Sequence, residues 1–195
     1  KSILGIYHEQ VVQQGGEDAL EEAGDVNIAR QLLAYDDFFL EKATLPIVIK
    51  VVQRLMGEYF ILYQQNGNLN KSNVENTTTP WHRDLTFWHV EFSRPIALSA
   101  LHVISPFTHD NGAVMILPGS HKSEEFPSSS YIESHQSTLL VEAGSVVLFD
   151  SMMFHRSGYN TSKHTRYSIN HMYTLEPYHA RQHLSDSVGR SDIPF

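Results

Sequence analysis

The chain contains no cysteine, which excludes disulfide scaffolds, thiol nucleophiles, cysteine-ligated zinc and iron–sulfur clusters. It has no Lys/Arg block, and 14 basic residues against 22 acidic ones leave a net charge of −8. That balance points away from nucleic acid and from anionic membrane surfaces as partners. No apolar run approaches the ~20 residues of a membrane-spanning helix. Residues 1–10 lack the apolar stretch of a secretory signal, so a cytoplasmic location is expected. Repeats and low-complexity tracts are missing as well. Histidine, by contrast, is abundant, with 12 among 195 residues. Metal chemistry here must therefore run on imidazole and carboxylate, ligands that suit iron, manganese, zinc or copper.

With 195 residues and 41% apolar content, the chain is sized for one domain with its own hydrophobic core. A helical part is expected over about 1–57, a β-rich core over about 58–175, and a tail over 176–195. Ile28, Leu32 and Leu33 recur at helical spacing. A clearer helix is expected over 45–56, with Thr44 as N-cap and Pro46 in the first turn, where a missing N–H costs nothing. Ile47, Val51 and Leu55 form one row of that helix, Val48, Val52 and Met56 the next, and Gly57 can end it.

From Glu58 onward the hydrophobic period changes to two, with strands expected at 59–64, 96–104, 113–117, 138–141, 145–149 and 166–175. Asn66-Gly67, Asp110-Asn111-Gly112, Pro118-Gly119-Ser120, Ala143-Gly144 and Ser157-Gly158 read as turns between them. Short strands at such spacing after helices suggest a mainly β (α+β) jelly roll with the N-terminal helices packed outside. The polar stretch 66–79 reads as a long loop placed just before the residues of most chemical interest.

Those residues begin with His82-Arg83-Asp84. On an extended chain, positions i and i+2 share a face, so the imidazole and the carboxylate can converge on one ion. His155 is the best candidate for a third ligand, and two histidines with one carboxylate would leave the far side of a metal open. Taken alone, an H-x-D pair is common by chance. Arg166, eleven residues after His155, adds a second signal, because with Ser168 on its face it can receive a carboxylate bidentately. The alternative for Arg166 is a surface ion pair.

Taken in order, His82-Arg83-Asp84, Asn111-Gly112, Leu117-Pro118-Gly119-Ser120-His121-Lys122, Gly144 to Asp150, Phe154-His155-Arg156-Ser157-Gly158, Asn160 and Arg166 resemble the phytanoyl-CoA dioxygenase family of Fe(II)- and 2-oxoglutarate-dependent oxygenases. The resemblance spans roughly Tyr59 to Tyr173. It implies a double-stranded β-helix, iron on His82, Asp84 and His155, and 2-oxoglutarate on Arg166 and Ser168. It further implies O2-dependent hydroxylation of a small molecule, releasing succinate and CO2. The sequence departs from the family at Arg83, where glutamine is common. It also departs at Gln64 and Gln65, near which some members carry a lysine, and at Leu101-His102-Val103, which lacks a frequent acidic pair.

The remaining histidines read as structural or exposed. His121 belongs to a turn, His102 to a strand, and His171 faces away from Arg166 and Ser168, while His164, His179 and His183 read as exposed. Phe87, Trp88 and His89 fit a core or a substrate wall equally well. The competing readings are a cupin-like metal enzyme or binding protein that makes no use of 2-oxoglutarate, and a ligand-binding jelly roll with a degenerate metal site.

Overall fold

The computed structural model describes residues 1–74, 80–85 and 91–175. Phe87, Trp88, His89, His179, His183, the last part of the 66–79 stretch and the 176–195 tail lie outside the described residues.

Two antiparallel sheets form the core. In chain order the elements are α1 (Ile3–Gln14), α2 (Glu17–Ala23), β1 (Ile28–Arg30), α3 (Asp37–Ala43), α4 (Pro46–Met56), β2 (Phe60–Asn70), β3 (Ala97–Val103), β4 (Val114–Ile116), α5 (Ser129–His135), β5 (Ser137–Thr138), β6 (Val146–Asp150), β7 (His155–Ser157) and β8 (Arg166–Leu175). The large sheet runs β1-β2-β8-β3-β6 and the small one β5-β4-β7. This is the jelly-roll, double-stranded β-helix architecture that the strand pattern and the resemblance imply.

Strand alternation sorts the large sheet into two faces. Leu98, Ala100, Ile169 and Tyr173 point outward and pack under the N-terminal helices, against Ile6, Tyr7, Phe39, Val48, Val52 and Met56. Leu101, Val103 and Phe149 point inward and meet Val114 of the small sheet. β3 is buried along its whole length because both faces are covered. The helix expected over 45–56 is α4, with Pro46 in its first turn, Gly57 after its end at φ 99°, and the Val48–Val52–Met56 row buried. The other row is turned outward: Ile47 is 65% exposed and Leu55 44%. Thr44 does not cap α4. Its hydroxyl donates back to the Leu40 carbonyl at the end of α3.

Three expectations are corrected. Ile28 lies in strand β1 and Leu32-Leu33 in a 3₁₀ turn, not in a helix. Their apparent helical spacing is accidental, since the strand buries Ala29 and leaves Ile28 half-buried, while the turn buries Leu32 and Leu33. Asn66-Gly67 is no turn, because β2 continues through it to Asn70, with Gly67 opposite Ile169. Glycine is required there by close approach, since a Cβ would stand 2.7 Å from Ile3 Cγ2. Gly67→Ala is expected to destabilise the fold by about 1–3 kcal/mol through overpacking, read as a lower denaturant midpoint at unchanged m-value. The strand expected at 138–141 is shorter, with β5 ending at Thr138 and only a single bridge, Phe107 to Val141, beyond it.

Candidate metal centre and its cationic pocket

His82 and His155 are joined by an isolated antiparallel bridge. Each backbone N–H donates to the other's carbonyl, at 3.1 and 3.0 Å, and Asp84 N donates to the Ser151 carbonyl at 3.0 Å. Ser151 and His155 therefore hold the backbone of the H-x-D pair in place. The two imidazole centroids lie 4.4 Å apart. One ligand atom from each of His82, Asp84 and His155 falls within 4.8 Å of the others, a spacing that could hold a metal ion.

The surroundings orient each ligand. His82 Nδ1 lies 2.9 Å from the Pro80 carbonyl and His155 Nδ1 2.9 Å from that of Met153. A carbonyl only accepts, so both Nδ1 atoms carry the hydrogen and both Nε2 atoms keep a lone pair for a metal. Asp84 Oδ2 accepts a bond from the Ser99 hydroxyl, which also lies 2.8 Å from Ser151 Oγ. That leaves Oδ1, 3.5 Å from His155 Nε2, turned toward the histidines. Arg83 points the other way, with its guanidinium over the Phe154 ring and bonded to the Ser123 carbonyl. The turn that contains His121 belongs to the same support, since Ser120 Oγ accepts the Phe154 N–H at 2.8 Å.

The electrostatics fit a cation site. Burial pushes the Asp84 carboxyl up, but His155, Ser99 and His82 outweigh it and hold the group at about 2. Burial pushes His155 down, yet the Asp84 carboxylate and the Met153 carbonyl raise it on balance. His82 is lowered by burial and by the neighbouring His155. Without a metal, His155 is the member of the trio that takes up a proton.

A cavity of about 150 Å³ joins this trio to Arg166, Ser168, Asn66, Asn68 and Asn170. Arg166 is 2% exposed and Ser168 1%, so the surface ion-pair reading of Arg166 is overturned. The guanidinium lies 4.5 Å above the Phe107 ring, its Nη1 donates to Ser168 Oγ at 3.4 Å, and its Nε has no partner. Among the described residues no carboxylate pairs with it. Burial alone lowers its pKa to about 10, so it remains a cation at neutral pH. A buried, uncompensated guanidinium is costly unless an anion joins it. The residues present fit an anionic chelator running from the metal trio to Arg166.

His171 is on the opposite face of β8, as the alternation of the strand requires, and His102 is on the outer face of β3. Neither reaches the metal trio. The sequence reading missed Ser99 and Ser151. Ser99 carried a faint signal, as the lone hydroxyl among the apolar residues 97–101. Ser151 carried none, because its role depends on chain pairing across 52 residues.

The family model for phytanoyl-CoA dioxygenase (PhyH) matches residues 7–168. An uncharacterized protein of Mycobacterium tuberculosis is 32% identical over 171 residues, covering 85% of this chain and 62% of that protein. The ectoine dioxygenase of Bordetella bronchiseptica is 27% identical over 165 residues, covering 68% of this chain and 53% of its own length. The chain thus spans about half to three-fifths of the curated relatives it matches. Among solved structures, EctD from S. alaskensis with bound Fe superposes with a TM-score of 0.68 at 22% identity, over 81% of this chain and 60% of that one. The non-heme alpha ketoglutarate dependent epimerase SnoN superposes at 0.63 and 22%, over 76% and 60%. At those identities the structural likeness speaks for the fold.

Proposed function

The chain belongs to the phytanoyl-CoA dioxygenase family, and from that premise we propose that it is an Fe(II)- and 2-oxoglutarate-dependent oxygenase that hydroxylates a small molecule. His82, Asp84 and His155 hold the iron in this reading, and Arg166 with Ser168 holds the far carboxylate of 2-oxoglutarate. The observation that carries it is the shared cavity, in which a three-ligand cluster and a buried guanidinium with no counter-ion among the described residues face one space. The cupin-like reading leaves that guanidinium unexplained.

When bound, iron and 2-oxoglutarate supply an oxidant made from O2, with 2-oxoglutarate leaving as succinate and CO2. The chain's own part is positioning. The Pro80 and Met153 carbonyls fix both imidazole tautomers with Nε2 toward the metal. Ser99 ties down one carboxylate oxygen of Asp84 and leaves the other for the ion. Arg166 presents its donors in a planar fork, and the Phe107 ring covers one face of that plane. Among relatives the names include ectoine dioxygenase and an iron/alpha-ketoglutarate-dependent dioxygenase of Penicillium thymicola. Both names are those of dioxygenases, and the first includes a small molecule.

Succinate formation tests this reading. Protein supplied with Fe(II), ascorbate and 2-oxoglutarate should release succinate in an O2-dependent way, faster when a substrate library contains the right compound. Absence of both succinate and 2-oxoglutarate binding would favour the cupin-like alternative.

Acid provides a second test. Iron requires both histidines neutral and Asp84 ionised, so protons compete with it. Asp84, held at about 2, stays ionised throughout the accessible range. His155, raised above the ordinary value, begins to compete first as pH falls, and His82, lowered, follows. Fe(II) affinity measured anaerobically should be full at about pH 8 and fall progressively toward pH 5. A flat profile would contradict histidine ligation.

A further inference from the structure

Under the helices, on the face of the large sheet away from the metal trio, lies a buried polar chain that the oxygenase reading leaves unused. His102 is 5% exposed, His171 0% and Gln65 2%, amid an otherwise apolar layer. Gln65 Nε2 lies 2.6 Å from His171 Nε2, and His171 Nδ1 lies 3.0 Å from His102 Nε2.

The direction of this chain can be worked out from its inner end. Gln65 Nε2 also donates to the Phe39 carbonyl at 3.3 Å. A carbonyl cannot face a carbonyl, so the amide nitrogen must be the atom turned toward Phe39 and His171. Its second hydrogen then goes to His171 Nε2, which accepts. His171 must carry its hydrogen on Nδ1 and give it to His102 Nε2. His102 in turn must carry its hydrogen on Nδ1, for which no acceptor stands among the described residues. Burial lowers both rings, to about 4 for His102 and well below the ordinary value for His171, so both stay neutral and the tautomers hold at physiological pH.

His102 lines a cavity of about 320 Å³ whose walls include Phe38, Leu45 and Val146 and whose other polar members include Lys42 and Ser145. Lys42 is half-buried and stands over the Phe38 ring at 4.8 Å, and among the described residues no carboxylate pairs with it. No carboxylate among the described residues lines the cavity. A fixed N–H donor and an ammonium thus share one recess with hydrocarbon walls. The volume is at the small end for a ligand site.

We propose that this recess is a second binding site, separate from the metal cavity, for a small amphiphilic carboxylate. The carboxylate lies between Lys42 and the Nδ1–H of His102, and its hydrocarbon tail packs along Phe38, Leu45 and Val146. The Gln65–His171 chain keeps the donor tautomer of His102 in place, and Gln65 acts here as a positioning residue.

Octanoate is the probe, titrated calorimetrically into the metal-free protein, with 1-octanol as the uncharged control. The parent should bind octanoate, and octanol at least about 10-fold more weakly, as expected for loss of charged hydrogen bonds. Lys42→Met should lose about 10-fold or more in octanoate affinity, and its half-exposed position makes unfolding no explanation. His102→Phe should lose a similar factor. Arg166→Ala, which empties the cationic end of the other cavity, should bind octanoate as the parent does. The proposal is overturned by a parent that does not bind octanoate, by octanol binding equally well, or by unchanged affinity in Lys42→Met. Loss of binding in Arg166→Ala would also overturn it, since the metal cavity would then be the site.

Discussion

Asp84→Ala should lose stoichiometric Fe(II) and all iron-dependent turnover while its far-UV circular dichroism stays that of the parent. Loss of a supporting group around a metal typically costs ~10–100-fold in affinity, and loss of a ligand atom itself should cost more than that. The fold should survive, because the segment is held by backbone bonds that alanine keeps: Asp84 N to the Ser151 carbonyl, and the pair of bonds between His82 and His155. Removal of Asp84 also frees the Ser99 hydroxyl, which retains Ser151 as a partner. His82→Ala and His155→Ala should behave alike, with His155→Ala costing somewhat more in packing because its ring lies 5.0 Å from that of Phe149. Metal analysis after anaerobic loading and desalting checks all three. Stoichiometric iron retained in each variant would remove the assignment.

Arg166→Ala should leave iron in place and weaken 2-oxoglutarate. Hydrogen bonds to charged groups contribute about 1.5–3 kcal/mol each, so a loss of roughly 10- to 150-fold is expected, or more if both prongs of the fork are engaged. Arg166→Lys should recover part of that, because an ammonium keeps the charge without the planar fork. Ser168→Ala should cost only about 0.5–1.5 kcal/mol, since one hydroxyl is lost from a carboxylate still held by Arg166. Arg166→Ala also relieves a buried charge that no carboxylate among the described residues neutralises. The ligand-free protein should therefore gain stability, read as a higher denaturant midpoint, even as its cosubstrate affinity falls, a combination that a merely structural arginine would not produce.

The His82 and Asp84 part of the candidate metal trio was legible because its geometry is local. His82 and Asp84 are two residues apart on extended chain, and that spacing alone puts both on one side. His155 and Arg166 needed the order of motifs around them. Ser99 and Ser151 were illegible for the opposite reason, since they meet Asp84 only through strand and loop pairings far apart in sequence. The same distinction explains the fold. α4 announced itself through Pro46, Gly57 and the Val48–Val52–Met56 row. Ile28, Leu32 and Leu33 misled because a half-buried strand residue followed by two buried turn residues mimics helical spacing. Asn66-Gly67 misled because its glycine answers to the Ile3 side chain above it and not to a turn. α5, whose seven residues bury no side chain, has no hydrophobic period from which to be read.

The central claim is that one cavity holds both the metal and 2-oxoglutarate, and the most direct test is optical. The anaerobic Fe(II) protein is titrated with 2-oxoglutarate while the metal-to-ligand absorption band of the chelate is followed. A saturable band with one equivalent per chain is predicted for the parent, displaced to higher 2-oxoglutarate concentration in Arg166→Ala. Iron bound stoichiometrically with no band at any 2-oxoglutarate concentration, or a band whose midpoint ignores Arg166→Ala, would contradict the account.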